Sequence, residues 1–97
     1  MQVDLLHQIS LIPDVVEDDD GITRNLKEEL LEVIPRVITA AKTMQMNYYK
    51  KDLEFLFDIY NLFISPKHNP QKTTCNNCRL KVIHFFTAYE TTKKANT

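Results

Sequence analysis

The apolar residues of this 97-residue chain fall into four segments with helical spacing, and no stretch carries a convincing alternation of apolar and polar positions. Leu5, Ile9 and Ile12, with Leu6 beside them, predict a first helix over Val3 to Ile12. Pro13 ends it, because a proline pushes the residue before it out of the helical region. Pro13 to Thr23 is polar, holds the run Glu17-Asp18-Asp19-Asp20, and reads as a solvated loop. A second helix is expected from Thr23 or Asn25, both good N-caps, and Asn25 with Glu28 has the spacing of a capping box. Its stripe is Leu26, Leu30, Val33, Val37, Ala41 (or Ala40) and Met44, widened by Ile34 and Ile38. Glu32 and Arg36, on the outer side, make a favourable i, i+4 pair. Pro35 either kinks this helix, by deleting the bond to the Leu31 carbonyl, or opens a new one as its first-turn residue. The stripe keeps its phase across Pro35, which favours one long helix kinked there.

Asn47 to Lys51 is the next break, with Asp52 the expected N-cap of a third helix over Leu53 to Ile64. Glu54, Asp58, Asn61 and Ser65 form one narrow polar line along it; the other faces are apolar. A helix apolar nearly all round is buried nearly all round, and a chain this short has few neighbours to bury it. Phe55, Ile59 and Leu62 are therefore the candidate positions for contact with another chain. Pro66 and Pro70 bound the loop Ser65 to Thr74. A fourth helix is expected from Cys75 or Asn77 to about Tyr89, capped by Thr74 or Asn76. Its stripe is Cys75, Cys78, Val82, Phe85 or Phe86, and Tyr89, with Leu80 and Ile83 to the side. The predicted fold is all-α: a compact bundle of four helices in one domain over residues 1–90, with a frayed tail over 91–97.

Composition narrows the classes. One glycine, Gly21, argues against a hairpin-rich β fold, a phosphate-cradling loop and a dinucleotide fingerprint. Nothing approaches the ~18 consecutive apolar residues of a membrane span, so no membrane partner is expected. The opening MQVDLLHQISLIPD lacks the basic start of a secretory signal, and two cysteines three apart make no disulfide framework. The expected location is the cytoplasm, or a virion if the source is a phage. Lysine outnumbers arginine nine to three, and Asn, Ile and Thr are plentiful, as in the proteins of an AT-rich bacterial or phage genome.

Charge is uneven. Residues 1–34 carry nine acidic and two basic side chains, a net of −7, and residues 35–97 carry four acidic and ten basic, a net of +6. Such asymmetry points to charged partners or to copies packing acidic end to basic end, unless the halves neutralise each other within the fold. Lys67, Lys72, Arg79 and Lys81 are the candidate contacts to nucleic acid. With only three arginines, bidentate base readout has little to draw on.

Cys75-Asn76-Asn77-Cys78 has the spacing of a zinc pair, and His68 is the candidate third ligand. His84 is excluded from joining Cys78 on one helix, since six residues on it lies about 240° round and ~9 Å along. A thioredoxin-like role lacks its strand, and the commoner role of such cysteines is small core-facing packing. Aligned on Gly21, the acidic loop fails as a calcium loop at both ends: Val16 stands first and Lys27 twelfth. Tyr48 and Tyr49 with Lys50 and Lys51 are a possible clamp for a single strand, or simply close the end of the bundle. A helix-turn-helix from helices three and four is ruled out by the long, proline-bounded connection. No nucleophile, base and orienting group assemble, and no cofactor is implied. The expected function is therefore non-catalytic: a helical assembly or adaptor module, a small subunit of a homo-oligomer or larger complex. The alternatives are a nucleic-acid-binding protein using the basic C-terminal region and a zinc module through Cys75 and Cys78.

Overall fold

A computed structural model describes residues 5–44, 49–65 and 70–95. In chain order the elements are α1 (Leu5–Ser10), β1 (Val15–Glu17), β2 (Thr23–Asn25), α2 (Leu26–Lys42), α3 (Lys50–Phe63) and α4 (Asn76–Ala95). The chain is mostly helical, with four helices among the described residues, as expected. It is not strictly all-α, because the segment read as a solvated loop is a hairpin.

In that hairpin β1 and β2 pair antiparallel, Val15 facing Asn25, Val16 facing Arg24 and Glu17 facing Thr23. The Gly21 amide donates to the Asp18 carbonyl at 2.9 Å, and the Asp18 amide to the Ile22 carbonyl at 2.9 Å. Gly21 sits at φ +80°, the left-handed region that a side chain resists, so the chain's one glycine stands where the turn requires it. Strands of three residues are too short for a period of two to show in the sequence.

The hairpin feeds straight into α2. Asn25 caps it as expected, its Oδ1 accepting the Glu28 amide at 3.0 Å. Pro35 lies inside one helix that runs on to Lys42, and the buried positions Leu30, Ile34, Val37 and Ala40 pass through it in phase. α2 packs against α3, α4 and β1, so it is α2, rather than α3, that holds the molecule together. Its core partners are Leu53, Leu56, Phe57, Ile59 and Tyr60 of α3 and Val82, Phe85, Phe86 and Tyr89 of α4, joined by Ile9 and Ile12 from the first segment. Tyr60, Phe85, Phe86 and Tyr89 form an edge-to-face series with centroids 5.2, 5.1 and 6.0 Å apart, a favoured arrangement of aromatic quadrupoles.

Three helix boundaries differ from the sequence reading. α1 closes at Ser10, and Ile12 reaches the core through a following turn in which its amide donates to Ile9. α3 begins at Lys50, earlier than expected, with Asp52 in its first turn rather than at the cap. The Asp52 carboxylate is used elsewhere: Oδ2 lies 3.2 Å from Arg36 Nε, tying α3 to α2. α4 continues past Tyr89 to Ala95. Lys93 Nζ meets Asp14 Oδ1 at 3.1 Å, and the Asp14 carbonyl accepts the Lys27 amide at 3.0 Å. The C-terminal end of α4 is therefore fastened beside the start of α2, and the two helices run antiparallel.

The expected polar line of α3 is shifted by one residue at its end. Glu54 and Asp58 are exposed, but the next exposed position is Leu62, at 71%. Asn61 is turned inward to latch the following loop. Its Nδ2 donates to the Gln71 carbonyl at 2.9 Å, and its Oδ1 accepts the Gln71 amide at 2.8 Å.

Candidate interaction groove

α2 and α4 leave an open furrow between them. At the end of α2, Ala40 points into the core and Ala41 out, so two small side chains keep the helix surface low there. The facing strip of α4 is its second apolar row: Val82 and Phe86 go inward, while Leu80 and Ile83 line the furrow. The result is a groove of about 670 Å³ lined by Ile38, Ala41, Lys42, Leu80, Lys81, Ile83, His84 and Thr87. A second hollow shares Ala41, Leu80 and Ile83 and extends it to Met44, Asn76 and Arg79. Leu80 is 69% exposed and Met44 91%. Cations rim this apolar floor: Lys42 from α2, and Arg79 and Lys81 from α4. Among the described residues no carboxylate lines either hollow.

Met44 adds a second observation. Thr43 closes α2 by donating from both its amide and its hydroxyl to the Thr39 carbonyl, at 3.0 and 2.9 Å. Met44 then takes φ 58°, the left-handed position after a helix that usually belongs to glycine. A side chain there costs about 1–2 kcal/mol. This site therefore spends stability to hold a flexible apolar side chain almost wholly in solvent, at the mouth of the groove.

The residues singled out from the sequence do not gather at one place. Ile59 is buried in the core, Phe55 is half-buried against it, and Leu62 stands exposed. The three do not form one free face, because the buried side of α3, packed on α2 and α4, includes Ile59. Of the basic candidates, Lys81 and Arg79 rim the groove, Arg79 also donating to Asn76 Oδ1 at its own helix start, while Lys72 is exposed on the loop before α4. Lys67 and His68 lie outside the described residues, as does Tyr48. Ile38, Ala41, Met44, Leu80 and Ile83 were not identified as a site. The sequence reading puts Ala41 (or Ala40) and Met44 on the core stripe of α2, Ile38 on its flank, and Leu80 and Ile83 beside the stripe of α4. Ala40 is the buried one, while Ala41 and Met44 are exposed, because α2 ends at Lys42 and its last turn faces the groove.

Cys75 and Cys78 are both free and half-buried. Cys75 precedes α4, and its Sγ accepts the Cys78 amide at 3.3 Å, so sulfur takes the capping role expected of Thr74 or Asn76. The side chain and amide of Cys78 hold the Cys75 thiol below its ordinary value of 9.0, with smaller help from the Asn77 amide and from Arg79. Among the described residues no three His, Cys, Asp or Glu side chains are grouped as metal ligands. Also among them, no helix is long and apolar enough to cross a membrane.

Elsewhere, Tyr89 is fully buried and its hydroxyl has no hydrogen-bond partner among the described residues. Burial, with the nearby Asp14 carboxylate, pushes its pKa up to about 12. Compared with protein-family models, with curated proteins and with solved structures, the chain matches none.

Proposed function

We propose that this chain is a non-catalytic assembly module, a small helical subunit or adaptor whose α2–α4 groove receives an apolar segment of protein edged with carboxylates. The observation that carries this reading is the groove itself: an apolar floor of Ile38, Ala41, Leu80 and Ile83, with Met44 at its mouth, rimmed by Lys42, Arg79 and Lys81. Contiguous apolar surface enclosed by a polar rim is the anatomy of a protein interface. Backbone strain at Met44 supports the same reading, since strained positions concentrate where a structure serves function rather than stability. The scaffold is read as a four-helix bundle with α2 kinked at Pro35. Its setting is read as the cytoplasm, or a virion if the chain is a phage structural component.

In-cell crosslinking tests it. A photoreactive amino acid at position 80 should yield one discrete adduct, mapped by mass spectrometry to the same partner peptide in repeated experiments. The same reagent at the exposed position 54 should not. Absence of any discrete adduct at position 80 would reject the reading.

A second reading, nucleic-acid binding, draws on Lys42, Arg79 and Lys81, which stand around the groove with no carboxylate between them among the described residues. It expects retention on heparin that falls steeply with salt. Against it stand Leu80 and Ile83, which put apolar surface between the cations where phosphates would lie.

A further inference from the structure

We infer that the occupant of the α2–α4 groove is the acidic hairpin, Val15–Asn25, of a second copy of this chain, so that copies join head to tail. This rests on the assembly reading and names its partner.

The hairpin has the complementary surface. Ile22, beside the turn, is 61% exposed and Val15 is 50% exposed. Around them Glu17, Asp18, Asp19 and Asp20 are all in solvent. By the strand pairing Val15 and Ile22 lie on opposite faces of the hairpin, so the apolar knob is Ile22 alone. Four carboxylates flank it, and the hairpin's cation, Arg24, is held by Glu29, which leaves an acidic surface to meet the cations around the apolar floor. Knob and floor would both bury surface that is otherwise left bare, and unlike charges at their edges would set the orientation.

The hairpin cannot reach the groove of its own chain. β2 runs directly into α2 at Leu26, and from Leu26 to Ile38 the helix rises about 18 Å. The Lys27 amide and Lys93 both hold Asp14, at 3.0 and 3.1 Å, pinning the strand end to the start of α2 and the end of α4. Knob and hollow thus lie towards opposite ends of the antiparallel α2–α4 pair. Each copy offers one of each, so the contact is heterologous: it builds a row or a closed ring, not an isologous dimer. One hairpin in one groove is a small interface, and association is best measured at about 50–100 µM.

The test uses two exposed-site variants, Ile22→Asp and Leu80→Asp, each checked for an unchanged circular dichroism spectrum and melt. In sedimentation velocity at low salt, wild-type protein should exceed the monomer mass, and each variant alone should be monomeric, its affinity at least about tenfold weaker. Mixed one to one, the two variants should form a heterodimer that grows no further, because the Leu80→Asp copy keeps its hairpin and the Ile22→Asp copy keeps its groove. Wild-type association should weaken in 0.5 M salt, as screening of the charged rim requires (roughly 4 Å Debye length). The inference is overturned if the mixture stays monomeric while wild type associates, or if Leu80→Asp alone abolishes association and Ile22→Asp leaves it intact. It is also overturned if wild type is monomeric throughout. In that last case a discrete in-cell adduct at position 80 with some other protein would leave the assembly reading standing, whereas no adduct would remove both.

Discussion

Three side chains here are placed against the ordinary preference of their type, and each has a measurable consequence. Tyr89 buries a hydroxyl that no described residue satisfies. Its folded pKa of about 12 lies above the ordinary 10, so between these values the unfolded chain loses a proton that the folded chain keeps. Stability should therefore fall as pH rises from 10 to 12, and this part of the fall should be absent in Tyr89→Phe when denaturation midpoints are compared across that range. At neutral pH the same substitution should be neutral or stabilising by up to about 1 kcal/mol, since it removes a buried group without a partner. Met44 in the left-handed region should give the opposite kind of result. Met44→Gly should raise stability by about 1 kcal/mol by relieving the backbone while weakening association. Cys75 is activated by its neighbour, so its alkylation at neutral pH should slow in Cys78→Ala, where the side-chain hydrogen bond from Cys78 is lost.

At the scale of elements, the long helices were legible because their core stripes are long. Leu30, Ile34 and Val37 kept phase past Pro35, and Val82, Phe86 and Tyr89 repeated on α4, each now fully buried. The hairpin was not legible, because three-residue strands carry no periodicity. The Asp52 cap was misread for a different reason: a carboxylate near a helix start serves the cap and a cross-helix arginine equally well, and only the placement of Arg36 decides. Asn61 shows the same limit. On a helical wheel it belongs to the solvent line, but its amide fits the backbone of Gln71 on the next loop. Asn61→Ala should cost about 1–2 kcal/mol in chemical denaturation, with faster hydrogen exchange at the Gln71 amide. Loss of exchange protection there without loss of stability would mean that the latch orders the loop and contributes nothing to the core.

For the whole molecule, the over-apolar third helix pointed to an interface, and the interface candidate moved elsewhere. Ile59 is enclosed in the core of its own chain and Phe55 half-enclosed against it. Exposed apolar side chains stand at several places, among them Leu62 on α3 and Leu6 on α1, and those that line a groove are Leu80 and Met44, where α2 and α4 meet. A single sequence does not reveal that position, because Leu80 and Ile83 have the same helical spacing as residues that become core. Whether a second row is covered depends on how many helices pack against it, a property of the assembled fold. The charge asymmetry of the two halves was legible, and it is in part neutralised within the fold, where Lys93 pairs with Asp14; what remains is the carboxylates of the hairpin turn at one end of the α2–α4 pair and Lys42, Arg79 and Lys81 at the other. The measurement that tests this account most directly is methyl NMR of the wild-type protein over a dilution series from about 1 mM to the low micromolar range. The account predicts that the methyl signals of Ile22, Leu80, Ile83 and Met44 shift together with concentration while Leu62 stays in place. Movement of Leu62 with the groove signals unchanged would contradict it and return the interface to α3.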